Sequence, residues 1–227
     1  MYNATHYKRI QLAIELNSQG VTLIENGKFE AAIPILSEAL KASKEDFSSS
    51  LVDEDIGIHS KRTSLDECMV SNSADVDQLS TSDGQYVYGS CIQIPSSIKA
   101  TYYESGIPLV SVAIIFNLAL AHHLLAKSMN QSEKLLNTAA KLYELAYALQ
   151  SEECMENTSF FCLATINNLG SIFKCLDRRE DAAICFQHLL SMLMFLVDCG
   201  GSKQESEYDG FFRNTSYIFK HEVAAAA

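Results

Sequence analysis

The stretch Leu163–Leu190, LATINNLGSIFKCLDRREDAAICFQHLL, decides how the rest of the chain is read. Ile166, Leu169, Phe173 and Leu176 recur every three or four residues, the spacing that keeps side chains on one helix face. A polar turn follows at Asp177-Arg178-Arg179, and Ala182, Ala183, Phe186, Leu189 and Leu190 then mark a second amphipathic helix. Gly170 and Ala182 are small where the two helices need to come close. The stretch predicts a helical hairpin.

The same spacing recurs near the N-terminus. From Gly170, Phe173, Ala182, Phe186 and Leu189 follow at fixed distances along the chain; from Gly20, the same distances give Leu23, Ala32, Leu36 and Ala39. There the turn is Asn26-Gly27-Lys28, with Phe29 opening the second helix. A looser copy starts at Ala119 and gives His122, then Ala139, Tyr143 and Ala146, each of the later three displaced by eight residues. Eight residues are close to two helical turns, so about one more turn per helix would keep the facing surfaces together. Small, large, small, large at fixed offsets in separate segments is the signature of an internal repeat.

On these residues the chain resembles the tetratricopeptide repeat (TPR) family, and Asn117-Leu118-Ala119 echoes Asn168-Leu169-Gly170. It departs from the family pattern in having no Trp and no Pro closing a second helix; Pro34 instead falls inside one, where a missing N–H is expected only in the first turn. The resemblance implies an all-α fold: a short right-handed solenoid of about three TPR-like hairpins. The expected division is a first hairpin over 1–43, an acidic insertion over 44–107, two further hairpins over 108–198, and a capping helix with a frayed tail over 199–227.

The insertion is a break in pattern. Between Lys44 and Glu104 there are eleven acidic residues against four basic ones, which accounts for most of the chain's net charge of −11. Such a composition predicts a solvated loop, with Lys61-Arg62-Thr63-Ser64 a candidate kinase site. Within it, Tyr86-Val87-Tyr88 and Cys91-Ile92-Gln93-Ile94 flank Gly89-Ser90, the arrangement of a small β-hairpin; an extended segment draped over the helices is the other reading. Beyond it, Val110–Lys127 is apolar all round, which predicts a helix buried on every side. Tyr208 to Phe219 is apolar and aromatic enough to cap an array.

Composition narrows the function. The acidic balance repels phosphate backbones, so nucleic acid is not expected as a partner, and a basic peptide suits the charge better. Seven Cys without a CxxC pair supply neither a zinc ribbon nor a thioredoxin motif and point to a reducing, cytoplasmic setting, nuclear included. No secretory signal and no run of eighteen consecutive apolar residues is present, so no membrane association is expected. His122-His123 is the pair closest to a metal motif, but adjacent helical residues point about 100° apart. No nucleophile motif or glycine-rich phosphate loop occurs, so no cofactor and no enzymatic activity are expected; an enzyme with dispersed residues is the weakest alternative.

The resemblance implies that the first helix of each pair lines a concave groove. That places Asn17, Ser18, Asn117, Leu120, His123, Asn167, Asn168, Ser171 and Lys174 along it. Asn carries both a donor and an acceptor, so a ladder of Asn can hold the backbone of an extended peptide. The expected function is a protein-interaction adaptor or scaffold. The alternative is a regulatory module whose insertion occludes the groove or is itself the recognition surface. The carboxylate-clamping variant of the family is not expected, because Asn17, Val21 and Asn168 stand where it needs other residues.

Overall fold

The computed structural model describes residues 4–44, 85–95, 109–151, 160–198 and 208–225. The described part is all-helical apart from the segment 85–95. Its helices are α1 (Ala4–Glu25), α2 (Phe29–Lys44), α3 (Leu109–Ser128), α4 (Glu133–Ser151), α5 (Phe160–Cys175), α6 (Arg179–Asp198) and α7 (Asp209–Ala225). Each helix packs on the next in the sequence, and α1 also meets α3 while α5 meets α7.

The first and last hairpins are built alike, residue for residue. At the first turn, Gly27 N–H bonds to Ile24 O and Lys28 N–H to Leu23 O; at the last, Asp177 N–H bonds to Lys174 O and Arg178 N–H to Phe173 O. Both turns place one residue in the left-handed region, Gly27 at φ 70° and Asp177 at φ 55°. Gly carries no steric penalty there and Asp is among the few side chains that tolerate it. A Cβ added at Gly20 would sit 2.5 Å from Leu36, and one at Gly170 would sit 2.7 Å from the ring of Phe186. In each hairpin a large side chain of the second helix therefore lies directly on the bare backbone of the first. The middle pair turns differently, through Asn130 and Gln131, both left-handed.

The core follows the offsets read from the sequence. Ala32, Leu36 and Ala39, Ala139, Tyr143 and Ala146, and Ala182, Phe186 and Leu189 are all at most 1% exposed. One apolar cluster runs through all seven helices and into the segment 85–95. Helix α3 is long and apolar enough to cross a membrane by composition, with a mean hydropathy of 2.0, yet 83% of that window is buried within the protein. Its uniform apolarity is used by packing on every side.

Two local expectations are corrected. The β-hairpin over 86–94 does not form: these residues carry no regular secondary structure, and no strand occurs among the described residues. An isolated two-stranded hairpin is marginal in water, and here the backbone finds side-chain partners instead. Pro34 lies in the second turn of α2, not the first, and the helix continues through it. It sits on the exposed face, where the carbonyl it leaves unbonded can turn to water. The candidate kinase site and the rest of the insertion lie outside the described residues.

Candidate functional site: an amide ladder around residues 85–95

The face made by α1, α3, α5 and α7 is occupied by the chain's own segment Gln85–Pro95. Asn168 of α5 holds Tyr88 at both backbone atoms: Tyr88 N–H donates to its Oδ1 at 2.8 Å and its Nδ2 donates to Tyr88 O at 2.9 Å. Asn117 of α3 does the same for Ile92, at 2.8 and 2.9 Å. Asn214 of α7 repeats the pattern at Tyr86, accepting from its N–H at 3.0 Å and donating to its carbonyl at 2.7 Å. Three helices thus each supply one amide that pairs with one residue as a neighbouring β-strand would.

Further groups fix these amides. Asn17 Nδ2 donates to Ile92 O at 3.2 Å, while its Oδ1 accepts from Asn117 Nδ2 at 2.9 Å. Asn167 Nδ2 donates to Asn168 Oδ1 at 3.1 Å, and its own Oδ1 accepts from Asn214 Nδ2 at 2.7 Å. Tyr86 O also accepts from the Ser171 hydroxyl at 3.2 Å. Asn17, Asn117, Asn167, Asn168 and Ser171 are each fully buried. Removing such groups from water is costly unless they are paired, and here they pair with the segment and with one another.

The geometry fits an extended chain laid across helices. A strand rises about 3.3 Å per residue and presents the N–H and C=O of alternate residues to the same side. Tyr86 and Tyr88 meet this condition two residues apart, on α7 and α5. Ile92 follows four residues on, again on the same side, at α3. The paired amides skip Gly89–Cys91, and that interval carries the chain from α5 to α3. The segment therefore runs opposite to the helix order, with Tyr86 at the C-terminal helix and Ile92 toward the N-terminal one.

Side chains seat the segment as firmly as the amides do. The Tyr88 ring lies among Phe116, Phe160 and Phe211 at centroid distances of 6.4, 5.4 and 6.0 Å. Tyr86 meets Phe211 edge-on at 5.4 Å, and its ring lies over Gly210, where an added Cβ would come within 2.6 Å of it. Val87, Cys91, Ile92 and Ile94 are buried. Gln85 donates to Ser171 O at 2.9 Å. Burial, with Glu25 nearby, pushes the Cys91 thiol up from its ordinary range.

The predicted site residues divide. Asn17, Asn117, Asn167, Asn168 and Ser171 converge on the segment. His123 is buried beside it, lining with Gln85 and Val87 a cavity of about 10 Å³. Its Nδ1 has no hydrogen-bond partner, and burial, with Lys127 nearby, holds the imidazole down to about 3. Leu120 is buried in the core. Ser18 is exposed: one residue is a 100° turn of helix, and Asn17 takes the inward place. Lys174 reaches toward the Tyr217 ring of α7, 5.8 Å from its centroid, away from the ladder.

Sequence reasoning missed Asn214, which lies on the capping helix outside the repeat register and so had no offset to betray it. It also missed Tyr143, whose hydroxyl accepts from Asn168 Nδ2 at 3.1 Å and helps orient that amide. Comparison with family models, curated proteins and solved structures finds no match.

Proposed function

We propose that this chain is a protein-interaction adaptor whose groove binds an extended polypeptide by its backbone, and that residues 85–95 hold that groove closed in cis. The observation that carries the reading is the set of amides from α3, α5 and α7, each pairing both backbone atoms of one residue. Backbone pairing of this kind is indifferent to sequence, so it is a means of holding a strand rather than of building one particular core. The wider frame is a short right-handed solenoid of three TPR-like hairpins closed by α7. In its support stand the matching turns of the first and last hairpins and the contacts of Gly20 with Leu36 and Gly170 with Phe186.

The occupant's origin favours the regulatory form of this reading. It belongs to the insertion and is covalently joined on both sides, so it competes as an intramolecular ligand. A partner gains the groove when the segment leaves it. Free thiols at Cys91, Cys162, Cys175 and Cys185 suit a reducing, cytoplasmic setting.

The test is to cut the chain at protease sites engineered within 45–84 and 96–108 and to add a labelled peptide of residues 84–95. Exchange of the freed segment for the labelled one is expected. If the freed segment never exchanges while the helices stay folded, the face is part of a permanent core and the binding reading fails.

A further inference from the structure

Backbone amides cannot tell one peptide from another, but the seats around this segment can. Resting on the reading of the face as a peptide groove, we infer that it selects a neutral extended segment of a partner protein. That segment carries two aromatic residues two positions apart, followed four positions on by two aliphatic residues with the same separation: the pattern of Tyr86, Tyr88, Ile92 and Ile94.

The aromatic half is specified by shape. Three phenylalanine rings enclose Tyr88, and offset or edge-on aromatic pairs contribute beyond their buried area. At the first position a flat ring fits over Gly210 where the helix backbone is bare, and a Cβ there would collide with it. The aliphatic half is specified by burial, since Ile92 is fully enclosed and Ile94 nearly so.

The requirement for neutrality follows from the ladder itself. Residues 85–95 contain no charged side chain. The amides around them already pair with one another, Asn17 with Asn117, Asn167 with Asn168, and Asn214 with Asn167, and none brings a countercharge. A Lys or Arg at a buried position would be desolvated without compensation. On this inference a basic side chain is therefore disfavoured at the positions of Tyr88, Ile92 and Ile94, which are buried. The insertion's own segment supplies the template for what displaces it.

The experiment uses the full-length chain carrying Tyr88→Ala and Ile92→Ala, which weakens the resident segment, and a fluorescein-labelled peptide of residues 84–95 read by anisotropy. Peptide uptake is expected, and peptides bearing Tyr88→Ala or Ile92→Lys should bind about a hundredfold more weakly or worse. A Ser90→Ala peptide should match the parent. Circular dichroism checks the fold; if the double variant does not fold, the chain cleaved on both sides of the segment takes the same peptides by exchange. Equal binding by all the peptides would overturn the selectivity and leave the groove reading standing. If no peptide enters either protein, the groove reading itself falls. If the double variant forms dimers in place of taking up peptide, the occupant is a second copy, and the inference is wrong.

Discussion

The two halves of the segment 85–95 are held by different means. Around Tyr86 and Tyr88, amides from α5 and α7 combine with a cluster of aromatic rings; around Ile92 and Ile94, amides from α1 and α3 combine with aliphatic packing. The polar hardware is nearly the same on both sides. What differs is where donors double up: Ile92 O accepts from Asn117 and Asn17, and Tyr86 O from Asn214 and Ser171, whereas the Asn168 amide pairs both Tyr88 N–H and Tyr88 O. Tyr88, the residue with the richest ring packing, takes both of these backbone bonds from a single side chain.

That contrast can be broken most severely at the side chains. Tyr88→Ala should cost about 4 kcal/mol in urea unfolding and Ile92→Ala about 3 kcal/mol, because a ring leaves the larger cavity. Equal losses would mean that the aromatic enclosure adds nothing to burial.

The amides should show the difference in redundancy. Asn168→Ala removes the amide that bonds Tyr88 N–H, Tyr88 O and the Tyr143 hydroxyl, for about 3 kcal/mol. Asn117→Ala leaves Ile92 N–H stranded while Asn17 still serves the carbonyl, for about 2 kcal/mol. Asn17→Ala should be the mildest, at about 1 kcal/mol. The order matters more than the values, and a reversal of the first two would remove the redundancy argument.

The most gradual effect is a pH dependence. His123 sits at the aromatic half, and its pKa is depressed from 6.5 to about 3 by burial and by Lys127. Below pH 6.5 the unfolded chain takes up a proton at this imidazole that the folded chain refuses until about pH 3. Its contribution to stability is therefore intact above 6.5 and declines as pH falls, by at most about 1.4 kcal/mol per pH unit. His123→Gln should flatten unfolding free energy between pH 6.5 and 4 relative to the parent. An unchanged slope would place the pH dependence elsewhere.

The helical frame was legible because it obeys offsets. The offsets shared from Gly20 and Gly170 predicted two like hairpins, with Gly170 at a close approach of its helices, and the apolar run of Val110–Lys127 predicted a buried helix. The amides of Asn117 and Asn168 were legible as a ladder for the same reason. What they hold was not. Tyr86–Ile94 alternates and contains β-prone residues, as a strand would, and nothing in its composition says whether its backbone bonds go to another strand or to side chains far along the chain. Asn214 is separated from Tyr86 by 128 residues and belongs to no repeat, so its role emerges only in three dimensions. Ser18 shows the limit of register: an error of one residue turns a side chain from the core to water.

The reversed course of the segment has a consequence for synthesis. Tyr86 leaves the ribosome long before Asn214, and at typical elongation speeds the delay is on the order of ten seconds. During that time α1, α2 and α3 exist without the far end of the cradle, and the strand that will fill it has only Asn117 and Asn17 to grip. On the proposed reading of the face as a groove, the expectation is that a partner meets its weakest competition from the segment while the chain is still being made.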